Sequence, residues 1–447
     1  MKTSGLIVAA AVLASLTGTL YWSDHHHGTE KPASIPADSP PKILTLKDTD
    51  ISKIEIKKKG AQEVALARND AGKWQITAPK PLGADPDAVS SMVSALSSLG
   101  SERLVDEKAS DLKQYGLTQP SLEADITTQD NKSQKLLIGD DTPTGNAAFA
   151  MLAGDPRVFT VASYTKTNVD KNANDLRDKR LLTADFDKVS QIELLAKKQE
   201  LTLGRNKEAW QILKPQPLRA DNSQVEDLVR QLKDAKMEPG ASDAEEHKSA
   251  SAFASGASVA VVKVTDSSGT EELQVRKNKD DYYAKSSAVA GVYKVSGVLG
   301  KGLDKSLDDF RNKKLFDFGF EDPNKVEMHD GAKAYFWTKG GQDWWSDGKK
   351  MDGIGVQSLV DKVRDLSASK FADSGFSTPL IDLTVTSNDG KRVEKVLISK
   401  NGDKYVAKRE NEPALYELDA TPVSDLQKSA ADVKPAAEPK AAPPPKK

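Results

Sequence analysis

The sequence predicts an α+β protein of three tandem related modules, each a mainly antiparallel sheet with one amphipathic helix, behind an N-terminal transmembrane helix. Three observations predict it. A thirteen-residue stretch occurs twice, KWQITAPKPLGAD at 73–85 and AWQILKPQPLRAD at 209–221, identical at eight positions. A strand-then-helix pattern recurs a third time beyond it. The chain also opens on an uncharged, largely apolar run.

That run extends from Thr3 to Ser23, apolar from Leu6 to Trp22, close to the roughly 20 residues a membrane-crossing helix needs. Tyr21 and Trp22 stand at its far end, where amphipathic rings favour the interface. Lys2 precedes the run and Asp24 follows it, so the positive-inside rule leaves Lys2 in the cytoplasm and the body outside. A cleaved signal peptide is the rival reading; the Ala-x-Ala patterns at Ala9 to Ala14 fall too early in the run for cleavage. Residues 1–23 are therefore read as an anchor and 24–43, rich in Pro, Ser and Ala, as a flexible tether. His25, His26 and His27 lie in that tether without a second ligand cluster, so a polar spacer is expected and no metal site.

The modules are expected at 44–184, 185–316 and 317–433. Each opens on a strand in which Ile54, Ile192 and Val326 align, each followed by a glutamate (Glu55, Glu193, Glu327) that strand alternation turns toward water. A Trp strand follows: Trp74, Trp210 and the Trp344–Trp345 pair. In the repeated stretch this strand ends at Pro79 and Pro215, and Asp85 and Asp221 stand where a helix needs its N-cap. The helices place apolar residues with one spacing: Val89, Met92, Val93, Leu96, Leu99; Val225, Leu228, Val229, Leu232, Ala235; Val356, Leu359, Val360, Val363, Leu366. That spacing marks a single helix face. Four alternating strands come next in each module, joined by turn signals at Asp130-Asn131, Ser268-Gly269 and Asp389-Gly390. The first two modules end in LRDKRLL (176–182) and FRNKKLF (310–316). The third lacks this exit and leads into a helix-like 419–433, with a Pro/Ala/Lys tail at 434–447 expected to be disordered.

Composition excludes several chemistries. With 64 basic and 66 acidic residues the net charge is −2, which offers no global attraction to nucleic acid. The absence of Cys removes disulfides, thiolate metal sites and Cys nucleophiles. No phosphate-binding loop, dinucleotide fingerprint, zinc-protease or nucleophile-elbow motif occurs. Asp85 and Asp221 read as caps before catalytic carboxylates, the recurring Trp as packing residues before stacking platforms, and Arg177 and Arg311 as solvated charges in connecting segments before phosphate ligands.

In the first module the Trp strand and helix are followed by Tyr115-Gly116-Leu117-x-x-Pro120, then Ile138-Gly139-Asp140-Asp141-Thr142-Pro143-Thr144-Gly145, then Leu176-Arg177-Asp178-Lys179. With the membrane anchor, this series resembles the uncharacterised bacterial family called domain of unknown function 4340. The second module keeps the Trp strand, helix and exit but lacks the Tyr-Gly-Leu and Ile-Gly-x-x-Thr-Pro motifs. The third keeps a diverged Gly375-Phe376-x-x-Pro379. The resemblance implies a single-pass protein of the bacterial inner membrane with its N-terminus cytoplasmic and its bulk periplasmic. It also implies association with ABC-type transport systems related to gliding-motility auxiliary components. It brings no catalytic residue and no cofactor.

The expected function is a non-enzymatic, membrane-tethered binding or scaffold protein with a membrane or envelope protein partner, its ligand unknown. A cell-wall or surface-polymer binder using Trp faces, and a hydrolase with two converging carboxylates, are the alternatives.

Overall fold

The computed structural model describes residues 41–207, 209–238, 243–320, 323–410 and 412–437. The expected anchor, most of the tether with its three His, and residues 438–447 of the tail lie outside them. Among the described residues no helix is long and apolar enough to cross a membrane. The chain divides into two compact units after Lys179.

The first unit builds one sheet. Its strands are β1 (Ile51–Lys58), β2 (Val64–Arg68), β3 (Trp74–Ala78), β4 (Leu82–Gly83), then helix α1 (Pro86–Ser97), β5 (Arg103–Asp106), β6 (Leu122–Thr128), β7 (Ser133–Asp141), β8 (Ala147–Leu152) and β9 (Val158–Ala162), closed by short helices α2 (Ser163–Val169) and α3 (Ala173–Leu176). The order is β4-β3-β2-β1-β6-β7-β8-β9-β5. Every paired strand runs antiparallel, with Ile54 opposite Leu66 on one side and Ile126 on the other.

The second unit repeats this plan twice. One module holds β10 (Gln191–Ala196), β11 (Gln199–Asn206), β12 (Ala209–Lys214), β13 (Leu218–Arg219), α4 (Asn222–Lys233), α5 (Asp243–Ser255), β14 (Ala257–Asp266), β15 (Gly269–Asn278), β16 (Asp281–Ser286), β17 (Val292–Val295), α6 (Gly297–Leu303) and α7 (Leu307–Phe310). The next holds β18 (Lys325–Asp330), β19 (Lys333–Gly340), β20 (Asp343–Ser346), β21 (Lys349–Lys350), α8 (Gly353–Asp365), β22 (Lys370–Ala372), β23 (Ile381–Ser387), β24 (Arg392–Asn401), β25 (Lys404–Arg409), β26 (Leu415–Leu418) and α9 (Ala420–Asp432). The orders are β13-β12-β11-β10-β14-β15-β16-β17 and β21-β20-β19-β18-β23-β24-β25-β26-β22. The protein is thus α+β, three antiparallel sheets in tandem.

The helix faces read from spacing are the ones buried: all fifteen periodic positions of α1, α4, α8 and the residues just beyond them are covered. Each helix lies on the sheet of its own module and closes one of three separate cores. Asp85 caps α1 by accepting from the N–H groups of Asp87 and Ala88 at 3.0 and 3.1 Å. Asp221 caps α4 in the same way through Ser223 and Gln224. Asp352 caps α8 through Ile354 and Gly355, a cap outside the repeated stretch.

Four expectations need correction. Each module carries more strands than expected: β2, β11 and β19 lie between the opening and Trp strands, and β4, β13 and β21 pair at the sheet edge. Val64, Ala65 and Leu66 of β2 are buried on both faces, so the period-2 signal is missing there. Helices also exceed one per module. Arg177 is buried, not solvated, because its backbone bridges Ala84 at the sheet edge and carries the side chain inward. Finally, the start of the tail is ordered. Pro435 bridges Met351, and Ala436 donates to the Lys350 carbonyl at 2.9 Å.

That last pairing gives the third module an exit like the other two. The N–H groups of Asp85, Asp221 and Asp352 donate to the carbonyls of Leu176, Phe310 and Lys434, each at 2.8 Å. The entry segments match as well: Lys42, Arg180 and Lys314 bridge Gly100, Lys236 and Ser367 just past the main helix of their module. The residues that follow them, Ile43-Leu44, Leu181-Leu182 and Leu315-Phe316, are all buried.

Candidate functional site

Tyr115 and Leu117 of the first module pack in a small cluster apart from its main core. Tyr115 stacks obliquely on Phe149 with ring centroids 5.1 Å apart, and Leu117, Met151 and Val158 complete a small apolar cluster. Burial, with the Asp106 carboxylate 3.4 Å from the hydroxyl, raises the Tyr115 phenol above its ordinary value. Gly116 has φ +68°, the left-handed region that closes its 3-10 turn, and a Cβ there would press on Asp140. A Cβ on Gly139 would overlap the Tyr115 carbonyl oxygen. The two glycines let the 113–117 loop lie directly on β7. Pro120 leads into β6, and Thr142 starts the β7–β8 turn by donating its N–H to Ala147, with Pro143 exposed at the tip. These residues form packing and turn devices.

The Trp positions divide. Trp210 and Trp344 are buried, whereas Trp74 is half-buried under Arg68 and Trp345 is exposed. Trp210 Nε1–H donates to Glu226 at 2.7 Å, so the polar end of the ring is satisfied inside the fold. Pro79 and Pro215 each follow a cis peptide bond and are exposed. Glu55, Glu193 and Glu327 stay half-exposed and pair with Lys53, Lys263 and Lys325.

A cleft of about 670 Å³ opens in the second unit where β12 and β13 face the end of the third sheet. Its floor is an ionic network. Arg219, on β13, reaches Asp317 at 2.7 Å, the Lys314 carbonyl at 2.7 Å, the Tyr416 hydroxyl at 3.0 Å and charge contact with Glu412 at 2.9 Å. Arg409 approaches the same network from β25: Asp317 at 3.2 Å, Glu412 at 2.9 Å, Glu394 at 3.2 Å and the Leu315 carbonyl at 2.8 Å. Arg392 adds Glu394 at 3.3 Å. Three arginines thus balance three carboxylates. Burial works against the Arg219 charge, but Asp317, Tyr416 and Glu412 outweigh it and raise its pKa. Burial raises Tyr416 despite the opposing Arg219 charge.

The apolar part of the lining is Trp210, Ile212, Pro217, Phe371, Pro413 and Ala414, of which Pro217 and Pro413 are exposed. Two motif residues line the cleft, Trp210 and Arg311. The guanidinium carbon of Arg311 lies 3.3 Å from the Phe371 ring centroid, and Nη1 meets Asp308 at 3.0 Å. The expectation of a solvated charge is corrected here too, because the aromatic wall covers this side chain. Asp85 and Asp221 remain at their helix caps and neither belongs to the ionic network. Among the described residues no three His, Asp or Glu side chains converge to hold a metal.

Sequence reasoning missed Arg219, Asp317, Arg409 and Glu412. One signal was present for Arg219: within the repeated stretch, Arg replaces the Gly83 of the first copy.

The sequence model of the family described as a domain of unknown function (DUF4340) matches residues 74–211 and 210–380, each stretch beginning at a Trp strand. No curated protein matches the chain. Among solved structures, a DNA polymerase sliding clamp from Pseudomonas aeruginosa aligns at 8% identity over 84% of this chain and 93% of its own, with a TM-score of 0.16. The DNA polymerase III subunit beta from Pseudomonas aeruginosa aligns at 7% identity over 84% and 92%, with a TM-score of 0.15. Similarity this low establishes no common fold.

Proposed function

The chain belongs to the DUF4340 family, and on that premise we propose that it is a non-enzymatic, membrane-tethered extracytoplasmic binding or scaffold protein, an accessory component of an ABC-type transport or envelope complex. The observation that carries this reading is how the modules are joined. One plan is strung three times, and the charged network around Arg219 and Arg409 fastens the second module to the third. Asp317 meets three arginines and Glu412 two, which leaves neither carboxylate poised for acid–base work. Trp210 and Trp344, being buried, offer no face for a sugar ring to stack on. The apolar run at 6–22 supplies the anchor and residues 24–43 the tether, and several modules on one tether gain from high effective concentration at the membrane.

The test is affinity purification of the tagged full chain from detergent-solubilised bacterial membranes. Recovery of a transporter ATPase or permease, lost when residues 1–23 are replaced by a cleavable secretion signal, is the expected result. Recovery of soluble proteins alone would sink the proposal.

A further inference from the structure

We propose that the cleft between the second and third modules is a ligand site for a small amphipathic carboxylate, its apolar body against Pro217, Pro413 and Ala414 and its carboxylate on Arg311. This goes beyond the scaffold reading and stands whatever the membrane partner is. The volume, about 670 Å³, falls in the range of small-molecule pockets. Pro217, Pro413 and Ala414 keep apolar surface open in the lining, which suits a small hydrocarbon body.

The charge follows from which groups are already engaged. Asp317 and Glu412 line the cleft, but each is held by both Arg219 and Arg409. Neither carboxylate is left to attract a cationic ligand. Arg311 differs. Its guanidinium is fixed against Phe371, so little side-chain freedom remains to be lost on binding. Among the described residues its ion-pair partner is Asp308, a side chain 60% exposed that does not line the cleft. A guanidinium held in place, beside an apolar wall, with one weakly held surface carboxylate, is suited to accept a second carboxylate in bidentate fashion. Asn222 and Asn312 add polar side chains to the same lining.

Calorimetric titration of the full chain with 4-phenylbutyrate tests this, beside 4-phenylbutanol and 4-phenylbutylamine as neutral and cationic controls against a detergent blank. The carboxylate is expected to bind about tenfold or more tightly than the alcohol, and the amine more weakly still. Arg311→Gln should weaken the carboxylate about tenfold or more without changing the alcohol. Asp308→Asn, at an exposed position, should tighten it several-fold by releasing Arg311. Ala209→Trp, on the exposed rim, should block all three probes. If Arg311→Gln fails to fold, the Asp308→Asn and Ala209→Trp results decide alone. Equal binding of acid and alcohol, no binding of the acid at 4-phenylbutyrate concentrations of about 10 mM, or an unchanged affinity in Asp308→Asn overturns the proposal. Failure here leaves the membrane pull-down unaffected, so the two readings fail separately.

Discussion

At Gly139 the backbone of the 113–117 loop passes so close that a methyl group has nowhere to go, since the atom it meets is the Tyr115 carbonyl oxygen. Gly139→Ala should destabilise the first unit by about 1–3 kcal/mol, as overpacking against backbone does. Gly302→Ala is the control. There the added Cβ meets the Gln231 amide, the far end of a flexible side chain, and alanine gains helix propensity. It should change stability by less than about 0.5 kcal/mol. Thermal unfolding of both variants separates them. Asp266 makes a second residue-scale point. Its carboxylate accepts from the Ser268 hydroxyl at 2.6 Å, then from the N–H groups of Asp185 and Ser268, each at 2.7 Å, and Gly269 at 3.1 Å, which together hold its pKa down to about 2. A lowered folded-state value stabilises above the ordinary carboxylate pKa near about 4, and that contribution is lost as pH falls toward about 2. Between pH 4 and 2 the urea midpoint should therefore fall less in Asp266→Asn than in the parent. Equal slopes would contradict this assignment.

The element that repeats most faithfully in space is the short edge strand at each module's exit, even where the sequence has drifted. Ala84, Ala220 and Met351 bridge Arg177, Arg311 and Pro435. Only the first two pairs share a recognisable motif. A bridge of this kind is made by backbone groups, which any residue supplies. The FRNKKLF segment serves two ends: Arg311 closes the second sheet, and Lys314, three residues on, opens the third. Truncation after Val433 removes the bonds from Asp352 N–H to Lys434 and from Ala436 N–H to Lys350. Compared with truncation after Ala437, it should cost about 1–3 kcal/mol in the second unit, at about 1 kcal/mol per backbone hydrogen bond. Comparison of the two truncations by urea unfolding checks this. An equal midpoint would mean that the exit strand carries no stability.

Across the second unit, the decisive contact joins residues far apart in sequence. Arg219 comes from one module, Asp317 from the entry to the next, and Glu412 and Tyr416 from its last hairpin. Arg219→Ala removes a side chain that is 19% exposed and makes two charge contacts and two further hydrogen bonds. Arg409 remains to neutralise the carboxylates, so the expected cost is about 2–4 kcal/mol, toward the low end of broken buried pairs. Denaturant unfolding of the full chain should show the loss in the second unit's transition and none in the first unit's. A matching loss in the first unit, or none in either, would sink this account.

How far the sequence could be read follows from where each signal resides. Helix faces, caps at Asp85 and Asp221, hairpin turns and the count of three modules were legible, because each depends on residues within one or two turns of one another. The doubly buried β2 was not, since burial on both faces erases alternation, and neither was Asp352, which stands outside the repeated motif. Arg177 and Arg311 looked like solvated charges because a basic run carries no mark of what will cover it. The sequence by itself thus determined the repeat, the fold class and the family. Only the tertiary structure decided that Arg219 would meet Asp317 and Glu412, and that Arg311 would lie on Phe371 beside an open cleft. Ion partners and cleft walls are chosen by proximity across some 60 to 200 residues of chain, and no local period encodes that proximity.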